Sequence, residues 1–295
     1  MSPAPPRGKV VLALLVLYLV WGSTYLGIRV ALEGFPPLFL SGSRYVLAGG
    51  LLYAFLRWRG APRPSAREWG GAFLVGTLLV AGNALVSISE QWVSSGLAAV
   101  VMASMPLWAV LLAGLWGDWP SRLEWAGIAV GLAGVGILQS GGELRASPLG
   151  AALLVLSTWS WALGSMWSRR LPLPRGPMGS AAEMLGGGAA WLAVSLAHGD
   201  RLAGVPALRP LAAYAYLAVF GSLVGFSAYT FLLGRVRPAL ATSYAYVNPV
   251  VAVGLGALAG EPVGPRAVGA LALILLGVGI VASRRAPAVE PAGEP

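Results

Sequence analysis

The chain has 295 residues, 57% of them hydrophobic and 11% charged, with a mean hydropathy of +0.74 and a formal net charge of +9. Those values exclude an ordinary soluble globule. The absence of cysteine excludes disulfides, thiolate metal sites and a cysteine nucleophile, and the single imidazole, His198, falls in a predicted surface loop, HGDR.

A hydrocarbon layer about 30 Å thick requires about 20 apolar residues per helical crossing. Ten such runs are predicted, at 9–31, 36–56, 69–89, 95–116, 123–140, 148–168, 178–197, 211–233, 238–259 and 266–283. They are continuous rather than alternating at period two, which argues for helices and against a β-barrel. The leader-like start, MSPAPPRGK, is followed by an apolar stretch too long for a signal peptide and lacking an A-x-A site, so it reads as the first span. The tail 286–295, APAVEPAGEP, has nothing to bury and reads as disordered. With the N-terminus placed in the cytoplasm, fourteen basic residues fall in inside segments and four in outside loops, the positive-inside pattern with both termini cytoplasmic. That distribution assigns the positive charge to membrane topology rather than to nucleic acid.

Along the chain, polar and aromatic residues recur at helical spacing. The first span places Trp21, Tyr25 and Arg29 on one face, and the sixth places Trp161, Ser165 and Arg169 likewise. Trp21 and Trp161 are expected as walls near the membrane centre, whereas Trp58, Trp69, Trp116 and Trp119 suit interfacial belts. The second span carries Arg44 roughly 12 Å deep at about 1.5 Å per residue, and the seventh carries Glu183 at a similar depth from the other side. The third span has a polar stripe, Asn83, Ser87 and Glu90, and Glu90 is expected to neutralise Arg44. Unpaired charge at such depth costs several kcal/mol. Arg44, Glu90 and Glu183 are therefore coupling or gating candidates, with a static interhelical clamp as the plain alternative. The fifth and tenth spans, rich in Gly and Ala, read as a peripheral scaffold or dimer contact, with Gly127 and Gly131 permitting close helix approach.

Self-similarity organises these spans. SGLAAVVMASMPLWAVLLAGLWGD (95–118) aligns with PALATSYAYVNPVVAVGLGALAGE (238–261), setting Pro106 on Pro249 and Asp118 on Glu261. GVGI recurs at 134–137 and 277–280. Repeats of five spans must enter the membrane from opposite sides, an architecture used by secondary transporters with midplane sites and interrupted helices. Pro106 and Pro249 are expected to break the fourth and ninth helices near the bilayer centre, where a disrupted turn must border protein or water. The faces bearing Met105 with Trp108, and Tyr244 with Asn248, then line a cavity. Tyr229, beside the polar face of the eighth span, joins them; the alternative is that the prolines only shape packing.

VWGSTYLGIR, FPPLFLSGSRYVLAGGLL, SSGLAAVVMASMPL, LEWAGIAVGLAGVGIL and ALATSYAYVNPVVAV together resemble the EamA-type exporters of the drug/metabolite transporter superfamily, in its YedA-type branch. The likeness spans about residues 9–283. It implies an all-α integral membrane fold of ten transmembrane helices in two inverted five-helix repeats, around a central cavity with alternating access. The division is then a cytoplasmic segment 1–8, a first repeat 9–140, a second 148–283 and the tail 286–295.

The reading is a bacterial inner-membrane, secondary-active exporter of amino-acid-like or amphipathic metabolites or drugs, coupled to protons. It needs no cofactor or metal and no nucleic acid; its partners are membrane lipid, the small solute and protons, and it is a monomer or homodimer. An uptake permease or lipid flippase of the same fold is the alternative, and a membrane enzyme a remote one, since the two aspartates, Asp118 and Asp200, lie in separate loops.

Overall fold

The computed structural model describes residues 7–117, 119–139, 147–233, 235–236 and 243–282. The expected tail 286–295, most of segment 1–8, and Asp118 lie outside them. The described helices fall into ten stretches, here α1–α10. Arg7–Val16, a π-helical turn Leu17–Trp21 and Gly22–Ala31 form α1; Pro37–Trp58 is α2; Ala66–Ser89 is α3. Ser95–Met102 and Met105–Ala113, closed by a 3-10 turn Gly114–Trp116, form the two parts of α4. Then follow α5 (Arg122–Gln139), α6 (Pro148–Trp167) and α7 (Pro177–His198). Leu208–Tyr216, a π-helical segment Leu217–Val224 and Gly225–Leu233 make α8, before α9 (Tyr244–Leu258) and α10 (Pro265–Ala282).

Six stretches, α1, α2, α3, α4, α6 and α8, are long and apolar enough to cross a membrane, and α9 and α10 hold shorter apolar helices. Local sequence sets the helix ends. Ser65 and Glu68 form a reciprocal capping box at the start of α3. Proline stands in the first turn of α2, α6 and α7, where no amide partner is lost. Gly199 ends α7 with φ +89°, a conformation that favours glycine. His198 is the last residue of α7 rather than a loop residue, exposed and 2.9 Å from Asp200.

Packing joins early helices to late ones. α2 lies on α7, α5 on α10, α3 on α6, α4 on α9 and α1 on α8. Glycine makes the closest of these contacts. A Cβ on Gly76 of α3 would overlap the Glu183 carbonyl of α7, and one on Gly277 of α10 would lie 2.5 Å from both Gly127 O and Gly131 N of α5. The glycine face of α5 is therefore occupied within the chain, by α10. Exposed apolar side chains such as Leu19, Phe55, Leu115 and Leu276 form an outer surface suited to lipid, and Trp58 (79% exposed) and Trp119 (66%) stand out at helix ends.

Candidate functional site

The fourth and ninth helices solve the proline problem differently. In α4 the helix stops at Met102, turns through Ala103–Ser104 and restarts at Met105, so Pro106 occupies the first turn of a new helix. In α9, Pro249 sits inside a helix that runs unbroken over its described length, against the expectation of a matched break. Pro249 has no amide to give to Ala245 O, so that carbonyl is released inside the helix.

Asn248 has a supporting role at this point. Its amide is assigned with nitrogen toward the carbonyls, donating to Leu17 O at 3.1 Å, Tyr18 O at 3.3 Å and Tyr244 O at 3.2 Å. Leu17 and Tyr18 belong to the π-helical turn of α1, whose wider spacing disturbs the regular bonding ladder. Trp21, which ends that turn, donates its indole N–H to Gly221 O in the π-helical segment of α8, 3.0 Å away. A Cβ on Gly225 would run into the same indole, so glycine there makes room for Trp21.

Around these irregular turns lies a central cavity of about 60 Å³. Of the expected residues, Trp21, Tyr25, Arg44, Asn83, Met105, Trp161, Tyr244, Asn248 and Pro249 line it. Thr24, Tyr45 and Gly221 line it too; no sequence pattern had marked them, although Tyr45 is the neighbour of Arg44. The volume admits a few waters and is below the range of about 300–1,000 Å³ of small-molecule pockets.

Other candidates sit elsewhere. Trp108 does not line the cavity: it donates to Ser104 Oγ at 3.2 Å and packs edge-on against Trp159. Met105 and Trp108 lie three residues apart in one helical stretch, Met105–Ala113, yet the indole is turned to Ser104 and to Trp159 of α6. Ser87 is spent on Ser41 Oγ (3.1 Å) and Asn83 O (3.0 Å), clamping α3 to α2. Glu90 follows the end of α3, 1% exposed, with both carboxylate oxygens lacking a hydrogen-bond partner among the described residues. The expected Arg44–Glu90 ion pair is not among those formed by the described residues. Arg44 instead donates Nη2–H to Asn83 Oδ1 at 2.7 Å and stacks over Tyr45 at 4.8 Å, while Arg29 takes the Glu90 and Val93 carbonyls.

A second cavity, about 720 Å³, opens at the end of the bundle that carries Arg169, Arg175 and Arg235. Glu183 and Tyr229 face it. Four rings divide it from the central cavity. Trp21 meets Trp161, Tyr229 and Tyr244 at centroid distances of 5.5, 5.2 and 5.0 Å, and Tyr229 meets Tyr244 at 5.7 Å. Edge-to-face pairs dominate the cluster. Trp161 donates to the Tyr244 hydroxyl at 3.2 Å, and Ser165 bonds Tyr229 at 3.0 Å. Among the described residues no three His, Cys, Asp or Glu side chains gather as a metal site.

A lipid-facing bundle with an amphipathic internal cavity, shut off by rings from a larger vestibule, is the construction of a multi-pass membrane transport protein. The chain belongs to the EamA-like transporter family, whose sequence model matches residues 8–139 and again 148–283. It is 47% identical over 272 residues to the uncharacterized inner membrane transporter YedA of Escherichia coli (strain K12), covering 91% of this chain and 89% of that one. It is 29% identical to a probable terminal-alkyne amino-acid exporter of Streptantibioticus cattleyicolor, covering 83% of each. A crystal structure 21% identical in sequence shares the fold with TM-score 0.66, covering 92% of this chain and 96% of the other. The protein is a membrane transporter and not an enzyme.

Proposed function

We propose that the chain is a secondary carrier of a bacterial inner membrane, exporting small amphipathic, amino-acid-like metabolites by alternating access. The observation that carries this reading is the four-ring cluster, which lies between a small central cavity and a larger vestibule. A channel needs a continuous water path, whereas a carrier needs a barrier on one side at a time. Ten crossings in two inverted halves, 9–140 and 148–283, account for the packing. Inversion maps the α3–α6 contact onto α8–α1 and maps α2–α7, α4–α9 and α5–α10 onto themselves. The doubled family match supports the same division. Both termini are cytoplasmic in this reading, so the vestibule with Arg169, Arg175 and Arg235 faces the cytoplasm, where an exported solute enters. The amino-acid exporter among the relatives favours that substrate class.

Glu183, facing the vestibule, and Glu90, buried without a hydrogen-bond partner among the described residues, are the groups that can carry coupling protons. Proteoliposome flux tests the proposal. Saturable counterflow of leucine-like solutes, driven uphill by a pH gradient, is expected. Linear leak would indicate a channel and fluorescent-lipid scrambling a flippase, and either overturns the carrier. Glu183→Gln or Glu90→Gln is expected to abolish uphill flux while sparing exchange; unchanged uphill flux in both variants removes protons from the mechanism.

A further inference from the structure

We infer that Arg44 and Asn83 form a carboxylate-binding subsite in the central cavity, so that the carrier selects anionic or zwitterionic solutes over cationic ones. The inference rests on the carrier reading and names the substrate class of that same cavity.

Arg44 is the one formally charged side chain among the residues lining the cavity; no carboxylate lines it. The guanidinium is always charged and presents a planar fork of donors. It is 1% exposed and, among the described residues, is ion-paired to no carboxylate and has no hydrogen-bond partner for its Nε–H. Its one hydrogen bond among the described residues, to Asn83 Oδ1, fixes one nitrogen and leaves the fork incomplete. Glu90 acts on Arg44 only at a distance, with no ion pair between them among the described residues. A buried guanidinium without a carboxylate in contact is costly, and an anion in the cavity would complete its fork. Met102, Met105, Trp161 and Tyr244 on the cavity wall supply adaptable apolar contact for the body of the solute. A cationic drug would meet Arg44 with like charge in a low-dielectric site.

Gly221 lets Thr24 and the guanidinium approach the α8 backbone closely: a Cβ there would lie 3.0 Å from Thr24 Cγ2 and 3.6 Å from Arg44 Nη1.

The test uses purified full-length protein in chloride-free buffer. Indole fluorescence, to which Trp21 and Trp161 beside the site contribute among twelve tryptophans, and melting temperature are read against isovalerate, isovaleramide, isoamylamine and leucine. Isovalerate is expected to bind at least about tenfold more tightly than isovaleramide, the size of a lost charge-assisted hydrogen bond. Isoamylamine is expected to be weaker still. Asn83→Asp places a carboxylate on Arg44 and is expected to remove the preference for isovalerate; Arg44→Gln should do the same. Melting curves show whether each variant is folded, and if neither folds the wild-type series decides alone. Equal binding of carboxylate and amide overturns the subsite, as does a preference for the amine, an equal response to chloride, binding of none of the probes, or a carboxylate preference that survives in folded Asn83→Asp. Leucine counterflow in proteoliposomes is measured separately. Counterflow without carboxylate preference defeats the subsite and leaves the carrier standing; absence of any counterflow defeats the carrier itself.

Discussion

Trp161 donates its indole N–H to the hydroxyl of Tyr244 across 3.2 Å, tying α6 to α9 at the floor of the central cavity. Both residues are nearly buried, and both also pack edge-on against Trp21 of α1. Three helices therefore converge on one aromatic contact. The floor must part if solute is to pass from the vestibule to the central cavity.

Removing that bond should ease the opening. Trp161→Phe keeps a ring and loses the donor, worth about 0.5–1.5 kcal/mol. The open fraction should rise by roughly twofold to tenfold. The chain has no cysteine, so Met105→Cys reports on the cavity alone. Faster modification by an impermeant maleimide in inverted vesicles is expected. An unchanged rate would mean that the floor is not what closes this side.

Asn248 should matter to the fold first. Asn248→Ala removes the amide whose two N–H groups serve the Leu17, Tyr18 and Tyr244 carbonyls, two of these on the π-helical turn. Leaving buried carbonyls unpaired costs about 1–3 kcal/mol. Asn248→Asp cannot donate from its carboxylate and is expected to be worse than alanine. Melting temperatures in detergent, falling in the order wild type, Ala, Asp, check this. An alanine variant as stable as the parent would show that the amide is not bonding these carbonyls.

The GVGI motif of α10 contains its own control. A Cβ on Gly277 meets the α5 backbone at 2.5 Å, whereas one on Gly279 meets nothing within 4 Å. Gly277→Ala should therefore destabilise by about 1–3 kcal/mol through overpacking. Gly279→Ala should be neutral or stabilising by up to about 1 kcal/mol, since alanine favours the helix. Thermal unfolding of the two variants side by side decides it; equal behaviour would contradict the α5–α10 contact.

These particulars show what the sequence could carry. Helix positions were legible because about 20 apolar residues are a physical requirement of the bilayer: runs expected at 36–56 and 148–168 are helices at Pro37–Trp58 and Pro148–Trp167. Cavity faces were legible for Trp21 and Tyr25, both of which line the cavity. They failed at Trp108, whose indole is taken up by Ser104 and Trp159, a tertiary contact that spacing from Met105 does not announce. The π-helical turns Leu17–Trp21 and Leu217–Val224 left no compositional trace. Their carbonyl partners, Asn248 and Trp21, come from other helices, so the turns are a tertiary property. Arg44 and Glu90 were expected to pair on charge alone; Asn83 lies nearer and takes the bond.

The opposite end of the bundle is held by charge rather than rings. Glu261, in the turn after α9, accepts hydrogen bonds from Ser95 N (3.2 Å), Ser95 Oγ (2.9 Å) and Gly96 N (3.2 Å) at the start of α4. A carboxylate there answers both the free amides and the positive end of the helix dipole. Glu261→Gln keeps one acceptor oxygen and loses the charge, a cost of about 1–2 kcal/mol. In the proposed topology this contact closes the outer side, so its loss should favour the outward-open form. Maleimide modification of Met105→Cys is then expected to quicken severalfold in right-side-out vesicles and to slow in inverted ones, the reverse of Trp161→Phe. Combining the two substitutions should return the ratio of the two rates toward that of the parent, because each weakens one of two alternating seals. If both variants instead quicken labelling from the same side, the aromatic floor and the Glu261 contact do not work as opposed gates.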